Sequence, residues 1–230
     1  MNKTIELINK LNTTHCLGVD EYEYLITHRN AEATELLRQY AIQARLQFYQ
    51  NKVFVRGLIE VSNICKNDCY YCGIRKSNLK CERYRLSKAE ILQCCDEGYA
   101  LGFRTFVLQG GEDGTFTDDY LCDLISSIKE NYPDCAITLS LGERSRESYQ
   151  KLYDCGADRY LLRHETANSE HYAQLHPDTL TLENRLECLK NLKEIGYQVG
   201  CGFMVGSPHQ TYAHIAKDLK FIEEFQPDMC

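Results

Sequence analysis

Cys65, Cys69 and Cys72 stand in the spacing Cys-x3-Cys-x2-Cys within a polar stretch, Asn63-Ile-Cys-Lys-Asn-Asp-Cys-Tyr-Tyr-Cys-Gly73. A compact loop of this kind can turn three thiolates toward one centre. Structural zinc takes four protein ligands in almost every case, and no fourth Cys or His follows at finger spacing. A 4Fe-4S cluster bound by three protein thiolates instead keeps one iron free for an outside ligand. The competing readings are a zinc loop completed by Cys81 or a distant His, and three unrelated thiols that share a loop.

Such a loop must be carried by rigid elements. Residues 1–50 show helical periodicity (Ile5, Leu7, Ile8 and Leu11, then Leu36, Leu37, Tyr40, Ala41 and Ala44) without strand signals. From Val53 onward, short apolar or β-branched runs alternate with longer amphipathic stretches, the pattern of repeated βα units around a parallel sheet. Strands are expected near 54–61, 104–109, 135–140, 158–162 and 198–205, and helices near 87–101, 117–131, 145–155, 181–194 and 211–225. Ser87 and Thr117 suit N-caps, and Gly102, Gly156 and Gly196 suit helix ends. The expected fold is α/β: an N-terminal helical segment, 1–50, followed over 51–230 by a partial TIM-type (βα) barrel of about five to six units. A sixth strand begins at Pro227-Asp228-Met229-Cys230.

Barrel chemistry sits at the carboxyl ends of the strands, and the candidate residues fall there. The cysteine loop follows the first strand and Gln109-Gly-Gly-Glu112 the second. Thr138 and Ser140 end the third, Arg163 to Thr166 follow the fourth, and Met204-Val205 end the fifth. Gly110 and Gly111 let backbone approach a ligand closely, although a Gly-Gly after a strand is by itself a common tight turn. Glu165 can accept hydrogen bonds from hydroxyls, and Arg185 can clamp a carboxylate or stand as a solvated helix charge beside Glu183 or Glu187. Tyr71 and Met204 offer an aromatic face and a soft apolar contact. Arg56, Gln109, Thr138 and Arg163 form a polar, cationic set suited to a small anionic substrate; Arg56, early in its strand, also fits a salt bridge at the barrel bottom. His164 and His176 read as hydrogen-bonded structural residues.

The composition fits a globular protein, with 43% hydrophobic and 26% charged residues. A formal charge of -7 argues against a broad nucleic-acid footprint and favours a small-molecule partner. The first residues, MNKTIELINK, contain no secretory apolar core, and no run approaches the ~20 apolar residues of a membrane span. A cytoplasmic protein without membrane contact is expected. Disulfides are rare in that compartment. Of the thirteen cysteines, the ten outside the loop (Cys16, Cys81, Cys94, Cys95, Cys122, Cys135, Cys155, Cys188, Cys201 and Cys230) are therefore expected to be small buried hydrophobes.

With Tyr71 just before its last cysteine, the cysteine loop resembles the defining motif of the radical S-adenosylmethionine (radical SAM) superfamily. The stretches Tyr84-Arg-Leu-Ser87, Leu108-Gln-Gly-Gly-Glu-Asp113, Thr138-Leu-Ser-Leu-Gly-Glu-Arg144, Arg159-Tyr-Leu-Leu-Arg-His-Glu-Thr166 and Gly202-Phe-Met-Val-Gly206 resemble the FeFe-hydrogenase maturase family HydE within it. Biotin synthase and methylornithine synthase share the loop but fit the later stretches less well. The resemblance implies a 4Fe-4S cluster on Cys65, Cys69 and Cys72, and S-adenosylmethionine contacts at Tyr71, Gly110, Gly111, Glu112, Ser140, Glu165, Arg185 and Met204. It implies substrate contacts at Arg56, Gln109, Thr138 and Arg163. The implied activity is reductive cleavage of S-adenosylmethionine to a 5′-deoxyadenosyl radical, with no protein side chain as catalyst. The implied task is building the di-iron part of the hydrogenase H-cluster from a cysteine-bound iron complex carrying carbon monoxide and cyanide. Other hydrogenase maturases and a reductant such as ferredoxin or flavodoxin are the implied partners. Further βα units are implied beyond Cys230.

Overall fold

Alternation between a two-residue and a 3.6-residue apolar period sets the architecture from Gly57 on. The computed structural model describes residues 2–230. Three helices come first: α1 (Lys3–Thr14), α2 (Val19–Thr27) and α3 (Ala31–Tyr49). Then follow β1 (Gly57–Ser62), α4 (Lys88–Ala100), β2 (Thr105–Gly110), α5 (Asp118–Asn131), β3 (Ala136–Ser140) and α6 (Arg146–Asp154). The chain continues through β4 (Arg159–Leu161), α7 (Ser169–Leu175), α8 (Leu182–Ile195), β5 (Gln198–Gly200) and α9 (Tyr212–Phe225). The strands form one parallel sheet in sequence order, β1-β2-β3-β4-β5, as repeated βα units require.

Strand side chains alternate between two faces. Ile59, Val61, Phe106, Leu108, Ile137, Leu139, Tyr160 and Val199 point to the helix layer and make its core. Against them α5 lays Leu121, Leu124, Ile125 and Ile128, a stripe with helical spacing that is wholly buried. The other face carries Leu58, Glu60, Gln109, Thr138, Ser140 and Arg159, which alternate with the core residues and line what would be a barrel interior.

The expected caps are in place. Ser87 and Glu90 make a capping box on α4, the Thr117 side chain accepts from Tyr120 N, and Gly102, Gly156 and Gly196 take positive φ after α4, α6 and α8. Two strands are shorter than expected. The runs read as 158–162 and 198–205 contain ladders of only three residues, and Glu165 (φ 66°) and Gly202 (φ 157°) take positive φ in the segments that follow. The pairing continues only as an isolated bridge between Glu165 and Phe203. Helix α7 was not anticipated. Met229 bridges Gly200, and Cys201 N donates to Met229 O at 3.0 Å, so residues 227–230 begin a pairing beside β5.

The N-terminal helices pack on α9: Leu7, Ile8, Leu17, Tyr22, Leu25 and Ala33 share a cluster with Ala216, and Glu223 accepts from the Tyr22 hydroxyl at 2.9 Å. Among the described residues no helix is long and apolar enough to cross a membrane.

The expectation for the cysteines needs correction. Cys95, Cys135, Cys188 and Cys201 are buried as anticipated, but Cys16, Cys94 and Cys230 are exposed and Cys81 is partly so. Cys122 of α5 and Cys155, just after α6, form a disulfide with a Cα–Cα distance of 5.3 Å. Residues 33 positions apart are brought together because consecutive βα units stack their helices side by side.

Candidate active site

The loop after β1 has no regular structure, so its shape rests on individual hydrogen bonds. Cys72 N donates to Cys69 O (3.0 Å), Lys76 N to Asn67 O (2.9 Å) and Ser77 N to the Asp68 carboxylate (3.0 Å). Main-chain bonds also tie it to other parts of the fold, among them Lys66 N to Glu112 O (3.0 Å) and Tyr70 N to Leu175 O at the end of α7 (2.9 Å). The Cys69 thiol is pushed up to about 12, chiefly by burial and against the pull of nearby Arg185. A bound cation would reverse that preference.

Gly110 and Gly111 are packed hard against this loop. A Cβ on Gly110 would sit 3.0 Å from Ser62 O; one on Gly111 would press on Ile64 O and lie 2.7 Å from Cys65 Cβ. The glycines are therefore set by close approach of the second strand end to the first. Glu112 lies across to Glu143 N, which donates to its Oε1 at 3.0 Å, and its Oε2 meets Lys66 Nζ at 3.0 Å. Gly142 takes φ 77° directly under the Glu112 side chain, where any Cβ would collide with it.

Arg185 comes from the first turn of α8 and is buried, not a solvated helix charge. Its Nε donates to Glu143 Oε1 at 2.5 Å and its Nη1 to Arg163 O at 2.8 Å. Burial opposes its charge, but Tyr172, Glu143 and Glu165 outweigh that and hold the guanidinium protonated. Glu143 also accepts from Asn184 Nδ2 at 2.5 Å. Neither Glu143 nor Asn184 was singled out in the sequence; the carboxylate within Ser140-Leu-Gly-Glu-Arg144 was the available signal.

Glu165 is buried in left-handed backbone with Oε1 3.5 Å from Arg163 Nε, while its Oε2 has no partner among the described residues. Burial raises its pKa, opposed by Arg163 and Arg185. The Tyr71 hydroxyl lies 3.2 Å from His176 Nε2, and His176 Nδ1 lies 2.9 Å from Tyr172 O. His176 is thus the hydrogen-bonded residue expected. His164 is instead buried without a hydrogen bond, 3.5 Å from an Asp218 carboxylate oxygen on α9.

One cavity of about 390 Å3 at the strand carboxyl ends gathers most of these groups. Cys65, Cys69, Cys72, Gln109, Gly110, Gly111, Glu112, Ser140, Arg163 and Arg185 line it, together with Glu60, Ser62, Asn63 and Asn67. Tyr71, Glu165 and Met204 stand outside this lining, with Met204 N donating to Glu165 O at 3.1 Å. Thr138 is buried two residues below Ser140, its Oγ1 unpartnered among the described residues. Arg56 is placed elsewhere: it precedes β1 at the amino end of the sheet and is exposed. A larger cavity of about 650 Å3, mostly apolar, lies between the N-terminal helices and α9 and contains none of the strand-end residues.

The donor set suits an iron–sulfur cluster. A structural zinc takes four protein ligands in almost every case, and the cavity lining offers three thiols, Cys65, Cys69 and Cys72, with no His among its residues. A cubane takes one thiolate per iron, so three thiols would leave one iron for an outside ligand. Cys81 is otherwise engaged, receiving Asn63 Nδ2 at 3.6 Å.

The family model described as the Radical SAM superfamily matches residues 59–222. Over 195 residues the chain is 45% identical to the [FeFe] hydrogenase maturase subunit HydE of Thermotoga maritima, covering 85% of this chain and 55% of that protein. It is 29% identical to the 3-methylornithine synthase of Methanosarcina acetivorans over 215 residues, 93% of this chain and 60% of the relative. The chain thus spans little more than half the length of these relatives. Among solved structures, methylornithine synthase superposes with a TM-score of 0.87 at 26% identity, over 96% of this chain and 65% of that one. The hydrogenase maturase HydG, at 23% identity and a TM-score of 0.82 over 96% of this chain and 51% of its own, shares the fold.

Proposed function

The chain belongs to the radical SAM superfamily, and from that premise we propose that its strand-end cavity cleaves S-adenosylmethionine in the service of FeFe-hydrogenase maturation. The observation that carries the reading is the gathering of Cys65, Cys69 and Cys72 with Gly110, Gly111, Ser140 and Arg185 in one cavity, together with the 45% identity to a maturase. When bound, a reduced 4Fe-4S cluster supplies the electron that breaks a carbon–sulfur bond of S-adenosylmethionine.

The chain's own residues bind and orient. Cys65, Cys69 and Cys72 would hold three of the cluster's irons. The close backbone at Gly110-Gly111 and the Glu112 carboxylate receive the amino group of S-adenosylmethionine, and Arg185 faces its carboxylate as a charge-assisted donor. The unpartnered Glu165 Oε2 accepts from ribose hydroxyls, with Tyr71 and Met204 beside the adenine and Ser140 at the strand end. Gln109 and Thr138, on the interior face of the sheet, and Arg163, just after β4, take the substrate, a small cysteine-bound iron complex with carbon monoxide and cyanide. Arg56 is distant from this cavity and has no place in it. A partner maturase delivers the complex, and a ferredoxin or flavodoxin supplies the electron.

A methylornithine synthase-like reading is favoured by one observation, the TM-score of 0.87. Anaerobic reconstitution followed by S-adenosylmethionine and dithionite tests the shared chemistry: about four irons per chain and release of 5′-deoxyadenosine support it, and one zinc without cleavage overturns it. Turnover of a cysteine–iron complex, but not of lysine or dethiobiotin, supports the maturase reading. The reverse overturns it.

A further inference from the structure

Arg83 lies on the strap Glu82–Leu86, which leads from the cysteine loop back toward α4. Its guanidinium donates from Nη1 to the carbonyls of Asn63 (2.5 Å) and Ile74 (2.8 Å), and from Nη2 to those of Arg75 (2.7 Å) and Asn78 (3.2 Å). All four partners are main-chain groups. The first stands just before Cys65; the second and third follow just after Cys72. One planar group therefore joins the two ends of the segment that bears all three thiols.

The strap has anchors of its own outside the loop. Leu86 N donates to Val61 O at 2.9 Å, and Arg85 forks onto Asp113 at 2.7 and 2.8 Å, the same carboxylate that receives Ser62 Oγ at 2.8 Å. Asn63 adds a second tie, accepting from Tyr84 N at 2.8 Å and donating to Glu82 O at 2.7 Å. Arg83 is thus mounted on β1 and on the Asp113 turn, and reaches from that base into a loop with no regular structure.

We propose that Arg83 is the positioning residue of the cysteine loop: it fixes the spacing of Cys65, Cys69 and Cys72 before a cluster arrives. Converging carbonyl oxygens repel one another unless a cation sits among them. Arginine supplies that cation as a rigid fork of five donors, which lysine cannot imitate. Groups behind metal ligands commonly change metal affinity about 10- to 100-fold when removed, and preorganising a site lowers the ordering cost of loading it.

The inference rests on the reading that these cysteines hold a cluster, and the test separates the two. The 230-residue chain is prepared as wild type, Arg83→Lys, Arg83→Met and, as a surface control, Arg104→Lys, a residue just before β2 at the amino end of the sheet. Hydrogen exchange of amides 63–78 in the apo chain needs no metal. Loss of iron to a chelator from the reconstituted chain reads the loaded state. The expected result is an unchanged apo melting transition in all variants, faster exchange confined to 63–78 in both Arg83 variants, and iron loss about 10- to 100-fold faster in Arg83→Met. Arg83→Lys should lie between Met and wild type, and Arg104→Lys should match wild type. Wild-type exchange and iron retention in both Arg83 variants would overturn the proposal, as would loss of the apo transition in both, which would make Arg83 a residue of the whole fold. A wild-type chain that binds no iron, with exchange still altered, would overturn the cluster reading and leave the positioning role standing.

Discussion

A buried guanidinium must be compensated where it sits, and at Arg185 Glu143 does this. The two side chains are 9% and 10% exposed, so neither charge has water to fall back on. Glu143→Ala should lower the unfolding free energy of the apo chain by about 3–5 kcal/mol, the usual cost of stranding one member of a buried pair, as read by urea denaturation. A loss below about 1 kcal/mol, the level of an exposed pair, would show that Arg185 finds other compensation. Cys69→Ala should abolish both the brown absorbance of the reconstituted chain and its cleavage of S-adenosylmethionine; cleavage persisting in that variant would refute the assignment of the loop. His176 yields a pH effect. Burial, opposed by the Tyr172 carbonyl and aided by Arg185, lowers its pKa from 6.5 to about 4. Between those values the unfolded chain binds the extra proton, so this contribution is fully present above pH 6.5 and fades as the pH falls toward 4. It is worth on the order of 3 kcal/mol for this fully buried ring. His176→Gln should flatten the fall in melting temperature across that window, and an unchanged slope would count against the assignment.

At the scale of elements, the site depends on how closely neighbouring strand ends approach. β2 pairs with β1 up to Gly110 opposite Ser62, which leaves Gly111 against the backbone of Ile64 and Cys65. Gly111→Ala should push the cysteine loop outward. Its expected signature is weaker cluster retention with helix content by circular dichroism unchanged; full retention would mean that the loop yields without consequence. The βα alternation, the caps at Ser87 and Thr117 and the helix ends at Gly102, Gly156 and Gly196 were legible because each is a local matter of period and capping. The limits of β4 and β5 were not. The runs around Tyr160 and Val199 continue as apolar sequence, yet the ladder stops at Leu161 and Gly200, short of the positive-φ residues Glu165 and Gly202, and nothing in the composition announces a left-handed glutamate. Helix α7 hid for a related reason: its seven residues carry a single Asn168 cap and too short a stripe to stand out from loop.

At the scale of the molecule, the sheet is fully covered on its helix side, while its other face is open at β1 and buried at Val107 and Thr138. Leu58 remains 55% exposed on β1 while Phe106 and Ile137 on the helix side are fully buried. The Cys122–Cys155 link ties α5 to α6 on the outside of this layer. Closing a loop of 33 residues constrains the unfolded chain by about 3–4 kcal/mol on the chain-entropy estimate. Cys122→Ser should therefore melt several degrees below oxidised wild type and together with reduced wild type; identical melting of all three would show that the link is not formed in solution. The sequence by itself determined the cysteine loop, the βα order and the placing of Gly110, Gly111, Ser140 and Arg163 at strand ends, because spacing and period act over a few residues. Only the tertiary structure decided that Glu143 holds Arg185, that Arg83 gathers the carbonyls around the thiols, that Cys122 meets Cys155, and that Arg56 stands at the far end of the sheet from the cavity. Those partners are separated by up to dozens of residues, and their meeting depends on register, helix stacking and the direction of each strand, none of which is written in any local stretch of chain.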